Sequence, residues 1–331
     1  MRRLVADPGA EPHGILPLVF GGSRASTQPS LTLVVGQPGA GKSLSVRSLL
    51  DPDDPSGAVI SADDLAAFHP DFLRLARRSP LDAPSAMAPL VADWITESLA
   101  FARTSKRSLV LELSVRTPSA AFATAEGFAV AGFATRIVVV AARRSESLLS
   151  TASRYFNARR VGMPARFTDR ATHNQGWAGT QVLVREAEAA TPVDRLSIVS
   201  RDGSVLFDAK SDDGFAGATA ALEAAQRAPI RSIAAAEWFG ELRRVMDFAT
   251  ATRELAPPVT EVLIELHELA LGEVLPLVGT GRNSTFSTQQ RARLSADLAS
   301  LRRALPREEP RFDPAAPIIT PPAPTRGGPS L

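Results

Sequence analysis

The sequence has no cysteine, which excludes disulfide bridges and Cys-ligated metal sites and fits a reducing cytoplasm. Histidine is scarce as well. None of the four has a second at metal-ligand spacing, so His69 and His173 are expected to make structural hydrogen bonds. An excess of one charge is also missing. Lys and Arg number 37 against 35 Asp and Glu, so a pI near 9.5 reflects near-neutrality, and no nucleic-acid partner is expected. No apolar run approaches the roughly 20 residues that span a bilayer, and Ile15-Leu16-Pro17-Leu18-Val19-Phe20 is too short and Pro-broken for a signal segment. The expectation is a cytoplasmic protein without a membrane partner. What is present is apolar content: 44% of 331 residues is ample for one large or two ordinary domains.

Short β-branched runs at Leu31–Val35, Ala58–Ser61, Ser108–Leu113, Ala134–Ala141 and Leu196–Val199 alternate with helical spacing over Lys42–Leu50, Ala86–Thr104, Ser119–Ala131 and Glu146–Phe156. Such alternation predicts an α/β fold, a parallel sheet with helices on both faces. Arg201-Asp202-Gly203 before Val205-Leu206-Phe207 reads as a hairpin turn into an edge strand. The expected division is a partly ordered leader (1–29), the α/β unit (30–210), a C-terminal helical appendage (211–305) and a disordered tail (306–331). Ala218–Arg227, Ala234–Ala251, Val259–Leu271 and Thr288–Leu305 supply the appendage helices, and Gly279–Ser287 reads as a mobile loop. Eight prolines in the last 27 residues argue against order in the tail.

Chemistry concentrates in four places. Gly36-Gln37-Pro38-Gly39-Ala40-Gly41-Lys42-Ser43 matches G-x-x-x-x-G-K-[ST] between a strand and a helix. The backbone N–H groups of such a loop curl around phosphate, Lys42 reaches the β/γ-phosphates, and the Ser43 hydroxyl can ligate Mg²⁺. The second place is Ser61-Ala62-Asp63-Asp64, at a strand's carboxyl end, where either Asp63 or Asp64 is a candidate general base or a helix N-cap. Third is Glu112, which interrupts an apolar strand and needs Arg116, Lys42 or a metal-bound water as partner, unless the strand is half-exposed. The fourth is the run Arg154, Arg159, Arg160, Arg166 and Arg170. Arginines on a lid stabilise a transferring phosphoryl group; the alternative, a solvated basic face, is preferred for Arg159, Arg160 and Arg170.

Together, GQPGAGKS, the Asp63-Asp64 pair six residues ahead of His69-Pro70, ELSVRT from Glu112 to Thr117, Arg154-Tyr155 and Arg166 ahead of Thr172-His173 resemble the zeta toxins, kinase toxins of epsilon/zeta toxin–antitoxin systems, over Leu31 to Asp208. The resemblance implies a P-loop kinase-like fold for the α/β unit and transfer of the γ-phosphate of ATP (or GTP) to the 3′-hydroxyl of the amino sugar of UDP-N-acetylglucosamine, which blocks cell-wall precursor synthesis. It implies Asp63 as general base, Lys42 and Ser43 on phosphate and Mg²⁺, and Arg154 and Arg166 on the transferring group. Glu97, Glu112, Ser114, Arg116 and Thr117 would line the acceptor pocket, with Asp63.

Val115 and Ala66 depart from the family's pattern near the expected acceptor side, which leaves open another hydroxyl-bearing metabolite as acceptor. A non-catalytic nucleotide-binding switch acting through the appendage is the other alternative. Regulation is expected from an epsilon-type antitoxin, or in cis from the C-terminal helices, with Glu261, Glu265 and Glu268 facing the arginine-rich lid.

Overall fold

The computed structural model describes residues 14–49, 57–190, 192–277 and 285–305. The expected tail at 306–331 and most of the Gly279–Ser287 segment lie outside them. Helix α1 (Ile15–Phe20) leads into β1 (Ser30–Val35), α2 (Lys42–Leu49), β2 (Ala58–Ser61), α3 (Ala62–Ala66), α4 (Phe72–Arg78), α5 (Ala83–Thr104), β3 (Leu109–Leu113), α6 (Pro118–Val130) and β4 (Ala134–Ala141). There follow α7 (Arg144–Arg160), α8 (Arg170–Ala190), β5 (Arg195–Ser200), β6 (Val205–Lys210) and α9 (Ala218–Arg227). The chain continues with α10 (Ser232–Thr252), α11 (Pro257–Leu269), a π-helical turn (Ala270–Val274), α12 (Leu275–Leu277) and α13 (Thr285–Ala304).

The strands form one sheet in the order β2-β3-β1-β4-β5-β6, parallel throughout except for β6, which returns antiparallel to β5. The parallel strands are nearly all-apolar because helices cover both faces. Alternation sorts them: Leu31, Leu33, Ile137, Val139, Leu196 and Ile198 pack with α1, α5, α6, α8 and α9, while Val34, Val138, Val140 and Val199 pack with Ala40 and Val46 on the other face. β1 lies between β3 and β4, so the chain leaves it in one direction and returns on the other side. The crevice at that switch point is where open α/β sheets take ligands, and the Gly36–Ser43 loop opens into it.

A second apolar core has no strand in it. Leu148, Leu149, Ala152, Tyr155 and Phe156 of α7 pack against Trp238, Leu242, Leu263, Leu266 and Leu298 of the C-terminal helices. The boundary differs from the sequence expectation at two points. Ile15 and Phe20, within the expected leader, are buried in the sheet core, and α9, grouped by sequence with the appendage, packs on the sheet through Ala218 and Leu222.

Candidate functional site

The phosphate loop needs glycine at two positions for conformational reasons. Gly39 and Gly41 have φ of +79° and +102°, and a Cβ at Gly39 would lie 2.1 Å from the Ser147 carbonyl oxygen. The loop is moored to α7 by Gln37, whose Nε2 donates to the Ala142 carbonyl and to Ser147 Oγ, each at 3.1 Å. His173 Nε2 lies 2.9 Å from the same hydroxyl. Burial lowers the His173 pKa to about 4, so the imidazole is neutral, a polar strut as expected of it.

Lys42 folds along the loop and donates to the Gly36 carbonyl (2.9 Å), the Gln37 carbonyl (3.2 Å) and Ser114 Oγ (3.1 Å). Its pKa falls to about 8. Burial is the main cause; Glu112 opposes it, and Arg154 and Arg166 add to it through their positive charge. Ser43 Oγ donates to Glu112 Oε2 at 3.0 Å. Glu112 sits where β3 pairs with both Val34 and Ser61, and burial raises its pKa against the pull of Ser43 and Lys42. Of the partners expected for Glu112, Lys42 is therefore the one electrostatically coupled to it.

The two aspartates separate. Ser61 caps α3: its Oγ accepts from the Asp64 N–H (3.0 Å) and donates to Asp64 Oδ2 (2.8 Å), a reciprocal capping arrangement. Asp63, one residue earlier, is exposed and faces two arginines. Arg154 Nη1 donates to Asp63 Oδ2 at 3.2 Å, and Arg166 pairs with Asp63 Oδ1. Burial lowers the pKa of both guanidiniums, as it does when cations leave water. The other arginines are engaged elsewhere: Arg159 with Glu254, Arg160 over the Phe248 ring, and Arg170 3.7 Å from Glu265.

Among the remaining acceptor-side candidates, Ser114 joins the Lys42 cluster, whereas Arg116 and Thr117 are exposed just after β3 and Glu97 is half-buried on α5. Val115 and Ala66 are each 5% exposed and belong to the sheet core.

Sequence reasoning missed α8 as a structural wall of the site. A Cβ at Gly176 would come within 2.9 Å of Pro38, and one at Gly179 within 2.0 Å of the Val115 carbonyl oxygen, so both glycines let the helix press on the two loops. Two glycines three residues apart, next to His173, were the available signal. Of the C-terminal carboxylates, Glu265 pairs with Arg144 and accepts from Asn174 at 3.1 Å, and Glu268 pairs with Arg302. Arg154 and Arg166 have Asp63 as their carboxylate partner. A cavity of about 560 Å³ between α7, α8, α9 and the π-helical turn shares no residue with the phosphate loop, and its Arg143, Arg144 and Arg227 are already paired with Glu146, Glu265 and Glu223.

The family model described as Zeta toxin matches residues 20–212. Toxin PezT of Streptococcus pneumoniae serotype 4 is 26% identical over 193 residues, 58% of this chain and 76% of PezT. Toxin zeta of Enterococcus hirae and of Streptococcus pyogenes are 28% and 29% identical over 40% of this chain, which spans 47% of each. A solved structure from the PezAT chromosomal toxin–antitoxin system of Streptococcus pneumoniae aligns with a TM-score of 0.61 at 20% identity, covering 71% of this chain and 95% of that one. At that identity the likeness concerns the fold.

Proposed function

The chain belongs to the zeta toxin family, and from that premise we propose that it is a phosphotransferase moving the γ-phosphate of ATP to the 3′-hydroxyl of the amino sugar of UDP-N-acetylglucosamine. The observation that carries the reading is the cluster in front of the phosphate loop. A carboxylate, two guanidiniums and a lysine meet there, with Asp63 paired to Arg154 and Arg166, both of which act electrostatically on Lys42.

In the proposed reaction, loop N–H groups and Lys42 hold the β- and γ-phosphates. Arg154 and Arg166 turn from Asp63 to the oxygens of the transferring group, where negative charge must be balanced. Asp63 accepts the proton of the acceptor hydroxyl as its oxygen bonds to the γ-phosphorus and the bond to the ADP oxygen breaks. Ser43 and Glu112 offer a hydroxyl and a carboxylate, the hard oxygen donors that suit Mg²⁺; Ser43 would hold the ion and Glu112 would orient its waters. An ion held by these residues would supply positive charge against the phosphates. Glu97, Ser114, Arg116 and Thr117 are the proposed acceptor contacts. Cytoplasmic action and control by an epsilon-type antitoxin belong to the same proposal; the PezAT system, described as a toxin–antitoxin system, supports an antitoxin as the kind of partner.

The test is ³¹P NMR of UDP-N-acetylglucosamine with ATP, Mg²⁺ and the protein. A new sugar-phosphate resonance is expected, lost in Lys42→Ala and reduced by at least about a hundredfold in rate in Asp63→Asn, which keeps its ATP affinity. ATP bound without a phosphorylated product would exclude this acceptor. Unchanged turnover in Asp63→Asn would remove the assigned base.

A further inference from the structure

The phosphate loop has two sides. Lys42 and Ser43 lean toward Ser114 and Glu112 at the end of β3, and Asp63 follows β2 beyond it, so the reacting phosphate belongs on that side. A nucleotide lying across the loop must then extend its nucleoside end toward β4 and β5. There the turn between β5 and β6 overhangs the loop and carries Arg201.

Arg201 Nη2 donates to Ser150 Oγ of α7 at 3.0 Å, and its Nε lies 3.9 Å from where a Cβ on Gly41 would stand. The guanidinium is half-buried, and among the described residues it forms no ion pair within 4.0 Å. Glu146, the acid nearest in effect, is held at 2.6 Å by Arg143. A cation withdrawn from water without a carboxylate is costly unless something else completes its surroundings.

The turn that presents it is built to stay in place. Gly203 takes φ of +88° and donates its N–H to the Ser200 carbonyl at 3.0 Å. Asp202 accepts from the Ser204 N–H at 3.1 Å and from Ser200 Oγ, which keep its carboxyl ionised with a pKa near 2. A register shift between Ile198 and Val199 bends the hairpin just before the turn.

We infer that Arg201 is the contact for the nucleoside end of the bound nucleotide, its planar guanidinium stacking on the base while Ser150 fixes its edge. Arginine suits this role because it combines a flat, weakly hydrated face with permanent charge. Stacking of this kind uses the face every purine shares, so it supports binding of ATP and GTP alike.

The inference rests on the nucleotide-phosphate reading of the loop, and the experiment separates the two. Binding of Mg²⁺-ATP and of Mg²⁺-tripolyphosphate, which has no nucleoside, is measured by calorimetry on the full chain, on Arg201→Met and on Arg201→Lys, with thermal unfolding to check that each is folded. Both substitutions are expected to weaken ATP about tenfold while changing tripolyphosphate by less than about twofold, because lysine keeps the charge but not the plane. Unchanged ATP affinity, equal loss for both ligands, or full rescue by lysine would overturn the assignment. Failure of the unaltered protein to bind either ligand would overturn the phosphate-site reading itself, and this inference with it.

Discussion

The sheet-centred half and the helical half supply different parts of one site. Lys42 and Ser43 open α2, Asp63 lies in α3 and Glu112 on β3, elements whose apolar neighbours belong to the sheet-side cores. Arg154 projects from α7, whose apolar face belongs to the strand-free core, and Arg166 lies between Ala165 and Phe167 of that same core. The pairing of Asp63 with the two arginines therefore spans a seam between two packed bodies of side chains. Residues 20–212 match the family, yet the helices that cover α7 begin at Ser232. Trp238 Nε1 donates to the Ser145 carbonyl at 3.2 Å, and Glu254 holds Arg159, so those helices grip the arginine helix at both ends. A segment outside the family match has become the floor under part of the site.

The strongest way to break this comparison is to remove the floor. Deleting residues 232–331 exposes Leu148, Leu149, Tyr155 and Phe156, and is expected to abolish phosphoryl transfer and to raise protease sensitivity across α7. Inhibition in cis predicts the opposite, a rise in turnover, so one rate assay on the truncated chain discriminates.

A smaller perturbation sharpens the contrast. Leu263 and Leu222 are both fully buried, one in each core, and Leu→Ala at either is expected to cost about 2–5 kcal/mol in denaturant unfolding. Under conditions where both variants are fully folded, Leu263→Ala is expected to slow turnover more, because its core carries Arg154. Equal effects on turnover would mean that the seam transmits nothing.

The smallest expected effect comes from pH. Lys42, with a pKa lowered to about 8, loses its proton as pH rises through that value, while bound phosphate favours the charged form. Nucleotide binding is thus expected to take up protons near pH 8 and to weaken above it by up to about tenfold per pH unit. Calorimetry in buffers of different ionisation heat reads the uptake directly.

Much of the sheet was legible because its strands are short apolar runs between turn residues; β2 and β4 fall on the residues that the pattern marks, Ala58–Ser61 and Ala134–Ala141. Helix α8 was not, since Gly176 and Gly179 lower helix propensity and their purpose is visible only once Pro38 and Val115 are beside them. Asp63 and Asp64 are chemically identical in sequence, and only the Ser61 cap on one and the two arginines on the other separate them. Arg201 read as part of a turn because its position over Gly41 depends on strand order.

On the proposed chemistry, the Asp63 pairing has a kinetic consequence. A carboxylate shared by two guanidiniums is a poorer proton acceptor, since their positive charge favours its ionised form. An acceptor sugar that arrives first meets a base already occupied. The triphosphate competes for the same guanidiniums and sets the carboxylate free, so the order of arrival is built into the resting site: nucleotide first, sugar second, with little wasteful turnover between encounters.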